Sequence, residues 1–263
     1  MKSGKIADII QRLGVFLVYI VLWMPIVILV IMSFSNHAIG LRWQGFTLQW
    51  YVQVFNTPKA MEALKNSLFV SSIATVISTI GGTLAAYGLY KYKFRGRGAL
   101  RMSVLLPITI PYVVTAATLL IFFTQVFRIP LGYISIIIAH ITFSAPLAVF
   151  IVLGRMARVD WTLEEASADL GADKLTTWRK VIVPVLLPAI MISAALIFPW
   201  SFNDFTITYF VAGVGTMTLP IYIFSLMQYS RTPVVINAIS SVFVILPIIG
   251  LLLVTFLQRR EAT

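Results

Sequence analysis

The chain has 263 residues, 59% of them hydrophobic and 11% charged, with a formal net charge of +11 and no cysteine. Soluble domains carry roughly 25% charged residues, and one of this size has too much surface to hide so much apolar area from water; the composition excludes a soluble fold and predicts a chain solvated by lipid. The missing cysteines exclude disulfides and thiolate metal sites, and the positive excess is that of loop lysines and arginines in a membrane protein, not of nucleic-acid binding.

A bilayer core of roughly 30 Å takes about 20 helical residues to cross. Blocks of that length predict six spans, at about 13–34, 67–89, 100–123, 131–153, 185–203 and 236–257, in an all-α membrane protein with a single domain over 1–263. The first block is long and lacks a small-residue cleavage site, so it reads as a retained helix and not a signal peptide. Prolines are tolerated in such spans where neighbouring groups satisfy the freed carbonyls. The run Leu-Pro-Ile-Thr-Ile-Pro at 106–111 predicts a bend or partial unwinding of the third span.

Loop charge sets the orientation. With both termini inside, fifteen of the twenty Lys and Arg fall in cytoplasmic segments, among them Lys91, Lys93, Arg95, Arg97 and Arg101. Only Arg42, Lys59, Lys65, Arg128 and Arg231 fall outside. This bias predicts a multi-pass membrane protein with cytoplasmic N and C termini. The two long outside connections, 34–66 and 204–235, carry Trp43, Trp50, Tyr51, Phe55, Phe205, Tyr209, Phe210, Tyr222 and Tyr229, the pattern of an interfacial aromatic belt.

The cytoplasmic segment 160–184 holds five of the nine acidic residues. Thr162 and Glu165 have capping-box spacing, which predicts a helix start. Gly171 is placed to end that helix, and Asp173 to cap a second short one running through Trp178. The small residues Ala166, Ser167 and Ala168 let another surface approach closely, so this helix pair reads as a docking surface and not a linker.

That segment resembles the "EAA" loop of ABC importer permeases: Glu165-Ala166-Ser167, three residues, Gly171, nine residues, then Val181-Ile182-Val183-Pro184. Ser167 and the two valines are mild departures; the spacing is kept. The resemblance implies the type I importer permease fold, with a coupling helix through which Glu165, Ala166, Ser167, Gly171 and Pro184 meet a cytoplasmic ATPase. It extends over nearly the whole chain. Met32–Asn36, Tyr90–Gly96, His140–Phe143, Ser201–Phe205 and Pro233–Ala238 are similar to the polyamine (spermidine/putrescine) permease branch. The implied partners are two copies of an ABC ATPase, a second related permease, a periplasmic or lipid-anchored solute-binding protein, and membrane lipid. One departure bears on substrate. The branch often has two adjacent acids after the fifth span, where this chain has Asn203-Asp204, which leaves an opine-like or other small nitrogenous solute as the alternative to a polyamine.

Asp204 is the one acid near the outer end of a span. An ionisable group at membrane depth predicts function, here lining a solute pathway with Asn203, Phe205 and Tyr209. The alternatives are a structural pair with Arg231 or a helix cap. Tyr112, beside Pro111, is a candidate gate, and His140 reads as an interfacial or hydrogen-bonded residue and not a proton relay. The chain lacks G-x-x-x-x-G-K-[ST], so ATP is hydrolysed by another subunit. No cofactor, metal or nucleophile constellation is present, which argues against an enzyme. The lack of internal repeats argues against a self-contained secondary transporter.

Overall fold

The computed structural model describes residues 2–37, 42–229 and 233–261. Among them there is no strand, only one isolated antiparallel bridge between Ser35 and Phe46. The helices in chain order are α1 (Lys2–Met32), α2 (Gln49–Asn56), α3 (Pro58–Lys91), α4 (Arg97–Thr109), α5 (Tyr112–Ile121), α6 (Tyr133–Met156), α7 (Thr162–Asp169), α8 (Lys174–Thr177), α9 (Val183–Phe202), α10 (Thr206–Val211), α11 (Leu219–Tyr229) and α12 (Pro233–Glu261). Short π-helical turns extend α5 through Val126 and join α8 to α9.

Four stretches among the described residues are long and apolar enough to cross a bilayer: Gln11–Met32, Pro58–Lys91, Tyr133–Met156 and Lys174–Phe202. The expected third span is broken. Ile110 is extended, with φ −77° and ψ 136°, and Pro111 caps the next helix, because a residue before proline is pushed out of the α region. The expected sixth lies inside α12, whose side chains from 253 on are outside the described residues. The long outside connections are more ordered than a belt of aromatics requires. The first contains α2 and the start of α3, and the second contains α10 and α11.

The chain divides into two compact units. The first joins Met1–Met61 to Ile223–Ile245. In it, the most apolar window of Gln11–Met32 has a mean hydropathy of 3.0 and none of it is buried by protein; an apolar surface of that extent needs lipid or another chain to cover it. Beyond α1, Trp50 is buried and donates from Nε1 to the Ser35 carbonyl at 2.7 Å. The Tyr51 hydroxyl sits between Ser33 Oγ (2.6 Å) and Ser241 Oγ (2.7 Å). These two aromatics therefore hold the connection in place, whereas Trp43 and Phe55 are exposed.

The second unit joins Glu62–Tyr222 to Leu246–Thr263, and α6 runs through its core. One buried cluster takes Val70, Ala116, Phe123, Ile136, Phe143, Ile207 and Val211 from α3, α5, α6 and α10. Another takes Ala86, Val149, Val152, Met156, Ile182 and Leu186 from α3, α6 and the start of α9. Small residues let α3 and α6 approach. A Cβ on Gly82 would lie 2.5 Å from Ala148 Cβ and 3.1 Å from the Ala145 carbonyl oxygen, a spacing that only glycine permits and that membrane helix pairs favour. The segment before α11 is tied down by Asn66 Nδ2 donating to the Met217 carbonyl (2.9 Å) and Leu219 N–H donating to Ser67 Oγ (2.8 Å).

Candidate functional site

The segment 160–184 is the helix–turn–helix its sequence predicts, with a change at the start and another at the end, where the second helix is not short but runs on through a π-helical turn into α9. Thr162 is inside α7 and forms no capping box with Glu165. Asp160 caps the helix instead, accepting from Thr162 N–H at 3.1 Å and from its hydroxyl at 2.8 Å. The Thr162 hydroxyl thus donates to a charged acceptor, a stronger bond than one between neutral groups. At the other end Gly171 takes φ +80°. The Ala172 N–H then reaches the Ser167 carbonyl at 3.1 Å, the six-residue closure that ends helices at a left-handed glycine. Asp173 caps α8 by accepting from Thr176 N–H at 3.2 Å, and Ser167 Oγ meets Thr177 Oγ1 at 2.9 Å, tying the two helices together. Hydrogen bonds from Thr162 hold the Asp160 carboxyl below its ordinary value, and those from Thr176 do the same for Asp173.

The inner side of this element is fastened to the end of α3. Lys91 Nζ pairs with Glu164 Oε2 at 2.7 Å, and the Tyr87 hydroxyl reaches Glu164 Oε1 at 3.4 Å. Lysine in a last helical turn also interacts favourably with the helix dipole. Trp161 stacks on Tyr90 with centroids 5.1 Å apart and donates from Nε1 to the Met156 carbonyl at 3.1 Å. Trp178 meets Tyr87 edge-on at 5.5 Å. The outer side is left open: Glu165, Ala166, Gly171 and Pro184 are exposed, as are three leucines, Leu163, Leu170 (88%) and Leu175 (65%). Apolar side chains left exposed on a charged, ordered element are candidates for contact with protein or lipid. Of these residues Glu164, Lys91, Tyr87, Trp161, Trp178 and the leucines went unrecognised as parts of the site in the sequence.

The other candidate cluster lies where α9 ends. Asn203 is exposed, Phe205 half-buried and Tyr209 55% exposed, with the two rings 5.3 Å apart. Asp204 is not on that open surface. It is 5% exposed, and its Oδ2 accepts from both the N–H and the hydroxyl of Thr208 at 2.8 Å. His140 from α6, 1% exposed, completes the cluster, with Nδ1 at 2.6 Å from Ser201 Oγ and Nε2 at 2.9 Å from Thr208 Oγ1 and 3.3 Å from Asp204 Oδ2. One arrangement satisfies every group: the Thr208 hydroxyl donates to Asp204 and accepts from His140 Nε2–H, while Nδ1 accepts from the Ser201 hydroxyl. Asp204 is thus a cap for α10, the alternative its position left open; Arg231 lies outside the described residues. Tyr112 is half-buried against the core, its ring 5.5 Å from Phe143. Among the described residues no group of three or more His, Cys, Asp or Glu could hold a metal.

Residues 78–262 match the family described as binding-protein-dependent transport system inner membrane component. The chain is 36% identical over 246 residues to the spermidine/putrescine transport system permease protein PotC of Haemophilus influenzae, covering 94% of this chain and 95% of that protein. It is 33% identical to PotC of Escherichia coli K12 over 93% of this chain and 92% of that one. The putrescine permease PotI of the same strain is 30% identical over 91% of this chain and 88% of its own. In fold it is similar to a chain of a bacterial ABC transporter that imports the acidic polysaccharide alginate, with a TM-score of 0.74 at 18% identity over the full length of both. A chain of an amino acid ABC transporter aligns with a TM-score of 0.61 at 18% identity, covering 82% of this chain and all of that one.

Proposed function

The chain belongs to the family of binding-protein-dependent transport system inner membrane components, and from that premise we propose that it forms half of the translocation pathway of an ATP-driven polyamine importer. Spermidine and putrescine are the solutes of the named relatives across nine-tenths of the chain. The whole chain acts as one six-crossing permease domain with both termini in the cytoplasm, an orientation supported by the distribution of its basic residues. Its partners are two ATPase subunits, a second permease related to this one, and a solute-binding protein on the far side.

The observation that carries this reading is the element at 162–177, clamped on its inner side by Glu164 to Lys91 and bare on its outer side. Glu165, Ala166, Ser167, Gly171, Leu170 and Pro184 form the coupling contact with the ATPase. Closure of the ATPase pair pushes this element, and the Glu164–Lys91 clamp passes the displacement to α3 and so to the core around α6. The pathway end is built on α10. Asn203, Phe205 and Tyr209 face the solute, Asp204 fixes α10 beneath them, and Tyr112 gates from the broken third span. The cycle transports because the solute binds the outward- and inward-facing states differently.

The test is ATPase stimulation of the reconstituted complex with its binding protein, over a panel of polyamines and opine-like solutes. Stimulation by spermidine or putrescine is the expected result. Stimulation by a zwitterionic or anionic solute alone would discard the polyamine assignment.

A further inference from the structure

A cavity of about 370 Å³ opens in the second unit between the C-terminal ends of α3 and α6 and the first half of α4. Its walls are apolar, with Leu89, Val104, Phe150 and Leu153 among them, while Arg97 and Arg101 stand on one side. The volume is in the range of ligand pockets, about 300–1,000 Å³. Arg97 is half-buried and steadied by a hydrogen bond from Nη2 to the Tyr90 carbonyl at 3.5 Å. Five basic residues lie within 91–101, and no Asp or Glu occurs anywhere from 63 to 159. On the following cytoplasmic segment Asp160 is engaged by Thr162 and Glu164 by Lys91. Both arginines line the cavity, and among the described residues neither pairs with a carboxylate.

We propose that this cavity is a binding site for an anionic phospholipid, with Arg97 and Arg101 holding the phosphate and the cavity between α4 and α6 taking an acyl chain. Charge complementarity selects the headgroup, since guanidinium forks match phosphate oxygens and basic pockets between membrane helices take acidic headgroups. The apolar walls select a lipid over a free anion, which would leave them empty. Leu100, Met102 and Leu106 on α4 are exposed apolar residues beside the two arginines, so the site sits where headgroup and hydrocarbon meet. Only its assignment to the inner leaflet rests on the orientation proposed above.

Two variants separate charge from space. Arg97→Gln with Arg101→Gln removes the anion contacts. Gly154→Leu takes up part of the cavity from a lining position where an added Cβ meets no atom within 4 Å. Native mass spectrometry of the purified complex in detergent would measure retention of phosphatidylglycerol, with phosphatidylcholine and inorganic phosphate as the other probes. The expected result is selective phosphatidylglycerol binding, weakened about 30-fold by the double arginine variant, the factor that two headgroup-facing charges supply, and weakened also by Gly154→Leu. Equal binding of phosphatidylcholine, displacement of phosphatidylglycerol by millimolar phosphate, or unchanged retention in both variants would overturn the proposal. So would loss of a protein subunit from the complex in place of lipid, which would make the cavity a protein seat. Binding in detergent does not depend on sidedness or on solute, so its failure is distinct from failure of the transport reading.

Discussion

Replacing Asp204 by alanine removes a hub and not a surface charge. Its Oδ2 accepts two bonds of 2.8 Å from Thr208 and lies 3.3 Å from His140 Nε2. His140 and Thr208 retain each other at 2.9 Å, so alanine orphans chiefly the Thr208 N–H, in a residue with no exposed surface. An orphaned buried donor costs about 1–3 kcal/mol and a lost bond to a charged acceptor about 1.5–3 kcal/mol; since these overlap, the net is about 2–4 kcal/mol. Asp204→Asn keeps a carbonyl acceptor for that N–H and costs about 1 kcal/mol. Amide exchange of α10 in the assembled complex reads the local opening directly. Alanine should speed exchange at Ile207 and Thr208 by about 30- to 900-fold and asparagine by about 5-fold, with transport falling in the first variant and largely kept in the second. Unchanged exchange in Asp204→Ala would refute the capping account. Lost transport in Asp204→Asn with α10 still protected would put the carboxylate charge on the solute.

Three further predictions follow from the same geometry. Glu164→Gln weakens a partly exposed pair whose side chains are 40% and 20% accessible, worth about 0.5–1 kcal/mol; transport per ATP should fall about 2- to 5-fold, and the swap of Glu164→Lys with Lys91→Glu should recover it. Gly82→Ala drives a Cβ into Ala148 and should lower stability of the purified protein by about 1–3 kcal/mol, as overpacking does. Adding Ala148→Gly should recover only part, because the Ala145 carbonyl and Val149 nitrogen remain at 3.1 Å. The carboxyls of Asp160 and Asp173 are held below 3.8, so their caps contribute fully above that pH and are lost as pH falls through the folded values. Hydrogen exchange of 160–177 should therefore be flat from pH 5 to 8 once corrected for intrinsic rate, with loosening confined below 3.8; loosening near pH 6 would contradict it.

What the sequence made legible was whatever local chemistry determines. Gly171 and Asp173 announce the end of one helix and the start of the next because a positive φ and a β-region cap are local demands, and both are met. The break at Ile110–Pro111 follows in the same way from a proline and its neighbour. The helix does start at Thr162, as its sequence predicts, but without the capping box, because the Thr162 N–H and hydroxyl both go to Asp160. Tertiary contacts were out of reach. His140 and Thr208 are 68 residues apart, and nothing in either neighbourhood states that they meet around Asp204. The short helices α10 and α11 lie in aromatic-rich stretches whose order depends on distant groups such as Asn66 and Ser67. Glu164 stood beside the motif acid Glu165, but only the structure tells which of the two turns inward to Lys91.

The account rests most heavily on the outer side of 162–177 being the contact through which ATP hydrolysis is felt. The chain has no cysteine, so Leu170→Cys introduces a unique thiol at its most exposed leucine on that element. In the assembled complex this thiol should crosslink to the ATPase subunit with a short bifunctional reagent, in a yield that changes with nucleotide, and should resist impermeant thiol reagents added outside intact cells. Labelling from outside, or no crosslink in a complex that still hydrolyses ATP in response to solute, would contradict it.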